Sequence, residues 1–425
     1  MEKRLAERLS REDPELLACL DAETRRQRDT LEMIASESAQ SALTLALQGS
    51  AFCGKTAVGG PGHQRLGGSK QADALERLTV RRACEVFGAA HANILPYSGS
   101  VANYCGYAAC VPPGGRILAL DPAVGSHQTH GGAANVSTRF YQFAYFGLDR
   151  DTMLVDYDAA DRAARDFRPH LVIVGSASYS RNFDFERLAD IAHRNGARLM
   201  IDMAHTSGLV AAGVSPSPVP WADIVAASGT KTLCGPHTGF LLCRGALADA
   251  VDRAVYPGTV ASLHLQTIAA LCHALKETQT PAFRETARRI VGNARYFCEA
   301  LTARGFGIVT GGTDCHMFVA SLAAFGVDAE RYAALLEQAH ISVNTKSIPY
   351  DDAGFPRGIR AGTTLLTQRG MGKPEIDRLA DVWQAVAASP EARTAQRADR
   401  EVEALLRAFP LPENGTNEDK GGCEA

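Results

Sequence analysis

Val225-Ala-Ala-Ser-Gly-Thr-Lys-Thr-Leu-Cys-Gly-Pro-His-Thr-Gly-Phe240 closes a short apolar run, Ile224 to Ala227, in small hydroxyl residues and one lysine. A lysine just past a strand is most often a solvated surface charge. Here its neighbours are small, so a ligand can approach the backbone, and a lysine confined with that ligand loses hydration. Desolvation lowers the pKa of the amine and frees it for Schiff-base chemistry. Lys231 is therefore the candidate catalytic amine, with Ser228 beside it as a ligand contact.

Two earlier stretches supply partners. Arg198-Leu-Met-Ile-Asp-Met-Ala-His205 is an apolar strand ending in an acid. Asp202 either caps the next helix or holds a protonated ring nitrogen, and a lysine Schiff base with an Asp on a pyridinium nitrogen recurs in pyridoxal phosphate enzymes. Ala92-Asn-Ile-Leu-Pro-Tyr-Ser-Gly-Ser-Val-Ala-Asn-Tyr104 reads as a strand, then Ser98-Gly99-Ser100, then a helix. Amides at a helix start, flanked by hydroxyls, bind phosphate, although the same triplet also serves as a plain N-cap. In chain order, phosphate cup, ring acid and lysine make one site, and the cofactor they predict is pyridoxal 5'-phosphate. In Gly125-Ser-His-Gln-Thr-His-Gly131, either histidine can simply bridge backbone groups, while His127 can also stack on the cofactor ring.

From residue 90 to about 245, apolar strands alternate with helical patterns: Ile94–Pro96, Arg116–Leu120, Leu171–Gly175, Arg198–Asp202, Ile224–Ala227 and Gly239–Cys243. Such alternation predicts an α/β fold, a mainly parallel central sheet covered by helices, with ligands at the strand ends. Gln71 to Phe87 reads as an amphipathic helix ending at Gly88, and the glycine-rich Phe52–Gly68 as a long functional loop. Beyond a helical region from Leu263 to Leu301, strands at 307–309, 317–321 and 341–343 with a helix at 328–339 suggest a smaller α+β domain. It closes in a glycine-flanked loop, Gly358-Ile-Arg-Ala-Gly-Thr-Thr364, whose Arg360 either clamps a carboxylate with two parallel hydrogen bonds or sits in a surface ion pair. The expected division is an N-terminal helical arm (1–35), a large cofactor-binding domain (36–275), a small C-terminal domain (276–410) and a disordered tail (411–425).

Composition narrows the class of function. With 425 residues, 46% hydrophobic and a formal charge of −3, the chain can bury a large core, and it offers no basic field for nucleic acid or membrane. No apolar run reaches the ~20 residues of a transmembrane helix. The 11 cysteines are odd in number, lack a Cys-x-x-Cys pair and sit mostly in apolar stretches, as reduced thiols of a cytoplasmic protein do. Glu2, Glu7, Glu12 and Asp13 argue against a transit peptide. No metal site is read.

Seven segments together resemble one family: Ile34-Ala-Ser-Glu37, Ser98-Gly-Ser100, His127-Gln-Thr-His-Gly131, Asp202-Met-Ala-His205, Lys231-Thr-Leu, Gly311-Gly-Thr-Asp314 and Gly358-Ile-Arg-Ala-Gly362. Over residues 1 to about 405 the chain is similar to the serine hydroxymethyltransferases, pyridoxal phosphate enzymes of fold type I. The resemblance implies that Lys231 binds the cofactor covalently, Asp202 pairs the ring nitrogen, His127 stacks on the ring and His205 lies beside it. It implies that Ser98, Gly99, Ser100 and Ser228 hold the cofactor, and that Arg360 and Ser36 hold the substrate carboxylate. It also implies a homodimer, with the loop of residues 52–68 reaching the neighbour's site.

The departures are as informative. Where the family's loop carries a tyrosine, a glutamate and a tyrosine pair, this chain has Thr56, Val58, Arg65 and Leu66, which makes Thr56, Val58 and Leu66 candidate substrate contacts. The family's glutamate handles protons in the folate reaction, and valine cannot. Pro122 and Gln128 stand for leucines of the folate pocket, and Lys346 for an asparagine. Thr230, His237 and Ala177 replace a histidine, an arginine and a serine near the ring. What remains is machinery for a carbanion at Cα. The expected activity is a folate-independent aldolase or transaldolase that cleaves or forms the Cα–Cβ bond of a β-hydroxy-α-amino acid, L-threonine type, with an aldehyde as second partner. The alternatives are a serine hydroxymethyltransferase with an unusual pocket, action on α-methyl amino acids, racemisation, or a non-catalytic relative.

Overall fold

Leu171-Val-Ile-Val-Gly175 is apolar at nearly every position, the pattern of a strand covered on both faces, and all five residues are buried. The computed structural model describes residues 3–60 and 64–412. In chain order the strands are β1 (Leu31–Glu32), β2 (His91–Asn93), β3 (Arg116–Leu120), β4 (Gln142–Phe146), β5 (Leu171–Gly175), β6 (Arg198–Asp202) and β7 (Ile224–Ser228). They continue as β8 (Gly239–Cys243), β9 (Gly307–Ile308), β10 (Met317–Ser321), β11 (Ile341–Ser342), β12 (Asn344–Lys346) and β13 (Gly358–Gly362). The central sheet has the order β2-β8-β7-β6-β5-β3-β4, and β8 alone runs against its neighbours. The α/β architecture with a mainly parallel sheet is as expected.

Each predicted strand of this sheet forms, with one displaced. The expected Ile94–Pro96 strand is instead His91–Asn93, because Pro96 has no N–H for a ladder and the Asn93 side chain takes the Leu95 N–H at 3.1 Å. The edge strand β4, Gln-Phe-Ala-Tyr-Phe, was not anticipated. Helices Lys70–Phe87, Leu265–Glu277 and Pro281–Thr302 follow the sequence pattern, the first closing on Gly88 in the left-handed region at φ 68.

The largest apolar cluster packs around the central sheet and includes Ile117, Val172, Ile201, Val225, Leu241 and Leu275. A second cluster gathers Phe297, Phe318, Tyr332 and Trp383 with Leu31 and Met33. The arm is two helices, Lys3–Glu12 and Pro14–Arg28, and it ends in β1, which pairs in parallel with β11. Residues just before the site are thereby fixed to the second core. A four-stranded sheet, order β12-β13-β10-β9, completes that half.

One expectation is corrected here. Residues 358–362 are not a loop but β13, paired on both sides, and every one of them is buried. Glycine at each end disguised the strand. Gly362 is needed because a Cβ there would stand 2.8 Å from Ala35 Cα, so its absence lets the 33–36 segment lie against the sheet. The expected tail at 411–425 lies, from residue 413 on, outside the described residues. Among the described residues no helix is long and apolar enough to cross a membrane.

Candidate active site

The parallel strands end at a common edge, so the loops leaving β3, β5, β6 and β7 meet the helix that follows β2, where open α/β sheets bind ligands. They enclose a cavity of about 760 Å³. Lys231 enters it from the turn after β7, Ser228 from the end of that strand, Asp202 and His205 from the end of β6, and His127 from the loop after β3. Ser98, Gly99 and Ser100 line it at the start of the helix Gly99–Cys110, and Ser36 lines it from the segment after β1. All of these sequence candidates are brought together.

Lys231 sits at φ 58, a left-handed conformation that costs a side-chain-bearing residue about 1–3 kcal/mol. Its surroundings enforce it. The Thr232 hydroxyl donates to the His205 carbonyl at 2.8 Å and accepts the Gly208 N–H at 3.1 Å, and a Cβ on Gly208 would lie 1.8 Å from the Thr232 carbonyl oxygen. The turn is clamped against the 207–211 helix, and only glycine permits that approach. Burial pushes the Lys231 amine down from its ordinary pKa; the Asp202 charge opposes this and the Arg360 charge adds to it.

Burial alone would raise the pKa of Asp202, but the hydrogen bond and charge of His130, with the charges of Lys231 and His127, together hold the carboxyl well below its usual range. Asn103 Nδ2 donates to Oδ2 at 2.8 Å, His130 Nε2 lies 3.3 Å from the same oxygen, and the Ala204 N–H donates to Oδ1 at 2.9 Å. Asp202 therefore caps its turn and presents a fixed negative charge to the cavity. The roles of Asn103 and His130 were not read from the sequence. A buried asparagine in the otherwise apolar Gly99–Cys110 helix was the available signal, since buried amides need partners. Asn103 also donates to the Thr129 hydroxyl at 2.8 Å, and that hydroxyl lies 2.7 Å from His127 Nδ1, so one chain of contacts orients both Asp202 and His127.

Ser98 caps the helix by accepting the Val101 N–H at 3.2 Å, which leaves the first amides of a twelve-residue helix facing the cavity for an anion. His127 and His205 are both pushed below the ordinary imidazole range, mainly by burial. His205 stacks on His316 with ring centres 5.5 Å apart, and His316 Nε2 is 3.0 Å from the Ala35 carbonyl, so the β10–β13 half reaches beneath the ring site. A buried amine, an ionised buried carboxylate and a helix start at one cavity fit pyridoxal phosphate.

Arg360 does not line this cavity; it sits at the centre of β13, 9% exposed. One terminal nitrogen donates to the Ala177 carbonyl at 2.6 Å and the other to Asn344 Oδ1, while Nε is buried with no partner. Among the described residues no carboxylate pairs with it. A buried guanidinium with a free Nε–H can receive an anion. Thr56, Val58 and Leu66 do not line the cavity of this chain's own Lys231. Thr56 and Leu66 are exposed, and Val58 bridges Ser262 while its carbonyl accepts the Arg65 N–H at 2.9 Å.

Comparison with known proteins agrees with this geometry. A family model described as serine hydroxymethyltransferase matches residues 9–383. A serine hydroxymethyltransferase of Acidobacterium capsulatum is 41% identical over 414 residues, covering 97% of each chain. One of Koribacter versatilis is 40% identical over 417 residues, again covering 97% of each.

Proposed function

The chain belongs to the serine hydroxymethyltransferase family of pyridoxal phosphate-dependent enzymes, and from that premise we propose a folate-independent aldolase or transaldolase acting on L-threonine-type β-hydroxy-α-amino acids. Family membership itself makes it an enzyme of the transferase and lyase kind acting on amino acids. In this reading Lys231 carries the cofactor, Asp202 pairs its ring nitrogen, His127 covers its ring with His205 alongside, Ser98, Gly99 and Ser100 hold its phosphate end, and Ser228 contacts it. Bound there, the cofactor supplies an electron sink for the pair left on Cα when the Cα–Cβ bond breaks.

The chain's own groups do the rest. Arg360, with Ser36, takes the substrate carboxylate and so fixes which bond at Cα is presented for cleavage. His127, which lines the cavity, is available to accept a proton. So is Glu37, which lines the same cavity: partial desolvation and then the charge of Glu32 push its carboxyl up to about 7, with Arg26 opposing. A proton acceptor near neutral pH is what removal of the β-hydroxyl proton requires.

The observation that carries folate independence is Val58. It occupies the loop position where the resembled family has a glutamate, and it is held there by the Ser262 bridge and the Arg65 N–H. Loss of a general acid or base lowers rates by about 10²–10⁴-fold. Pro122 and Lys346, which also depart from the resembled family, line a second cavity together. We further propose a cytoplasmic homodimer in which the 52–68 loop serves the neighbouring site; the ten described cysteines are all free, as a reducing compartment requires, and light scattering that finds a monomer would remove the dimer.

A serine hydroxymethyltransferase proper is the second reading, favoured by the names of relatives at 41% and 40% identity. The two separate on one comparison, cleavage of serine and of threonine with and without tetrahydrofolate. Threonine cleavage that proceeds without folate, beside slow serine cleavage even with it, supports the aldolase. A large folate stimulation of serine-to-glycine conversion overturns it.

A further inference from the structure

A second cavity, of about 360 Å³, is walled by Pro122, Val124, Leu148, Tyr179, Val319 and Lys346, among others. Two of its walls lead to the residues that hold Arg360. Gly125, on its wall, accepts the Ala177 and Ser178 N–H groups at 2.9 and 3.0 Å, and Ala177 is the residue whose carbonyl takes Arg360. Lys346 stands two residues beyond Asn344 on β12, so both side chains leave the same face of the strand, and Asn344 holds the other end of the guanidinium.

Lys346 is half-buried, and its ammonium has no hydrogen bond or ion pair with any described residue. No Asp or Glu is found among the residues walling this cavity. Leaving a cation partly desolvated beside another cation is unfavourable unless an anion completes the site. Arg360 is satisfied by the amino acid's own carboxylate. That leaves one positive charge in the second cavity without a partner. The apolar walls, Pro122, Val124, Leu148 and Val319, suit a short carbon chain, and a 360 Å³ space holds a small molecule.

Building on the aldolase reading, we propose that this cavity is the acceptor subsite and that it selects an aldehyde bearing a second, anionic group, carboxylate or phosphate, which Lys346 Nζ binds. In the reaction the Cα–Cβ bond of threonine breaks with loss of the hydroxyl proton, acetaldehyde leaves, and the electron pair remains at Cα. That pair then forms the new Cα–Cβ bond to the acceptor's carbonyl carbon, whose oxygen takes up the proton. Threonine and the acceptor thus become acetaldehyde and a new β-hydroxy amino acid with an anionic side chain, and no oxidant or reductant is consumed.

The test uses the holoenzyme with L-threonine and two matched pairs of acceptors, 4-oxobutanoate against butanal and glycolaldehyde phosphate against glycolaldehyde. Products are measured by mass. The expected result is a preference for the charged member of at least one pair of roughly 10- to 100-fold in kcat/KM, the value of a charge-assisted contact. The pair that shows the larger preference tells carboxylate from phosphate. Lys346→Gln should bring that preference close to one, and Lys346→Arg should restore most of it. Binding of unreactive succinate and inorganic phosphate, followed by calorimetry, reads the subsite without turnover, so it distinguishes failure here from failure of the aldolase reading. Equal use of charged and neutral acceptors, a preference that survives Lys346→Gln, or tighter binding of 5-formyltetrahydrofolate than of either anion would overturn the proposal.

Discussion

Glu76 offers a stringent test of the packing around the loop that carries Val58. It lies on the helix Lys70–Phe87, is 0% exposed, and its nearest hydrogen-bonding contact is Gln64 Nε2, 3.5 Å from each carboxyl oxygen. Burial, and next the charge of Asp73, push its carboxyl up to about 8, against smaller opposing effects of Arg77 and Gln64. A folded-state pKa above the unfolded value means the group's contribution is fully present below about 4.5 and is lost as pH rises through about 8. From 4.5 to 8, at about 1.4 kcal/mol for each tenfold change in proton affinity, the loss is at most about 5 kcal/mol. Water penetration and relaxation reduce this, and about 2–3 kcal/mol is expected. Glu76→Gln is isosteric with the protonated acid, so it should match the wild type at pH 5 and exceed it at pH 9. Urea unfolding of both proteins at fixed protein and cofactor concentration, at pH 5, 7 and 9, gives the difference directly. Midpoints that move in parallel across this range would refute the claim that a buried neutral carboxyl underlies the loop.

Lys231→Ala should abolish the covalent cofactor adduct, seen as loss of its visible absorbance; borohydride reduction and peptide mapping that place the label on another lysine would reject the assignment. Arg360→Ala should weaken binding of glycine or threonine by roughly 2–5 kcal/mol, the usual consequence of removing one member of a buried charge pair. Unchanged glycine affinity by calorimetry would exclude Arg360 as the carboxylate clamp.

The central strands were legible because burial on both faces leaves nothing but a continuous apolar run, as in Leu171–Gly175 and Gly239–Cys243, and such runs have sharp ends. Where other demands shape a strand, the pattern blurs. β4 carries a glutamine and is only partly buried because it is paired on one side only, and β13 begins and ends in glycine. Gly362 is fixed by what lies across from it, Ala35, more than three hundred positions earlier in the chain. No local window contains that information.

The same distinction runs through the site. Lys231, Asp202 and Ser98 to Ser100 were legible because each is a chemically unusual residue at the end of an apolar strand, and the ends of parallel strands must meet. Asn103, His130, His316 and the Ala177 carbonyl were not, because each acts through a partner far along the chain: Asn103 through Asp202, His316 through Ala35, Ala177 through Arg360. Arg360 shows why the step from sequence to structure matters most for charges. On sequence alone a surface ion pair is the competing account. That alternative falls on two facts no motif encodes, that the side chain is buried and that no carboxylate among the described residues comes to meet it. On the proposed function that cation receives the substrate carboxylate, and Lys346, two residues past the asparagine that holds Arg360, extends the argument to a second anion.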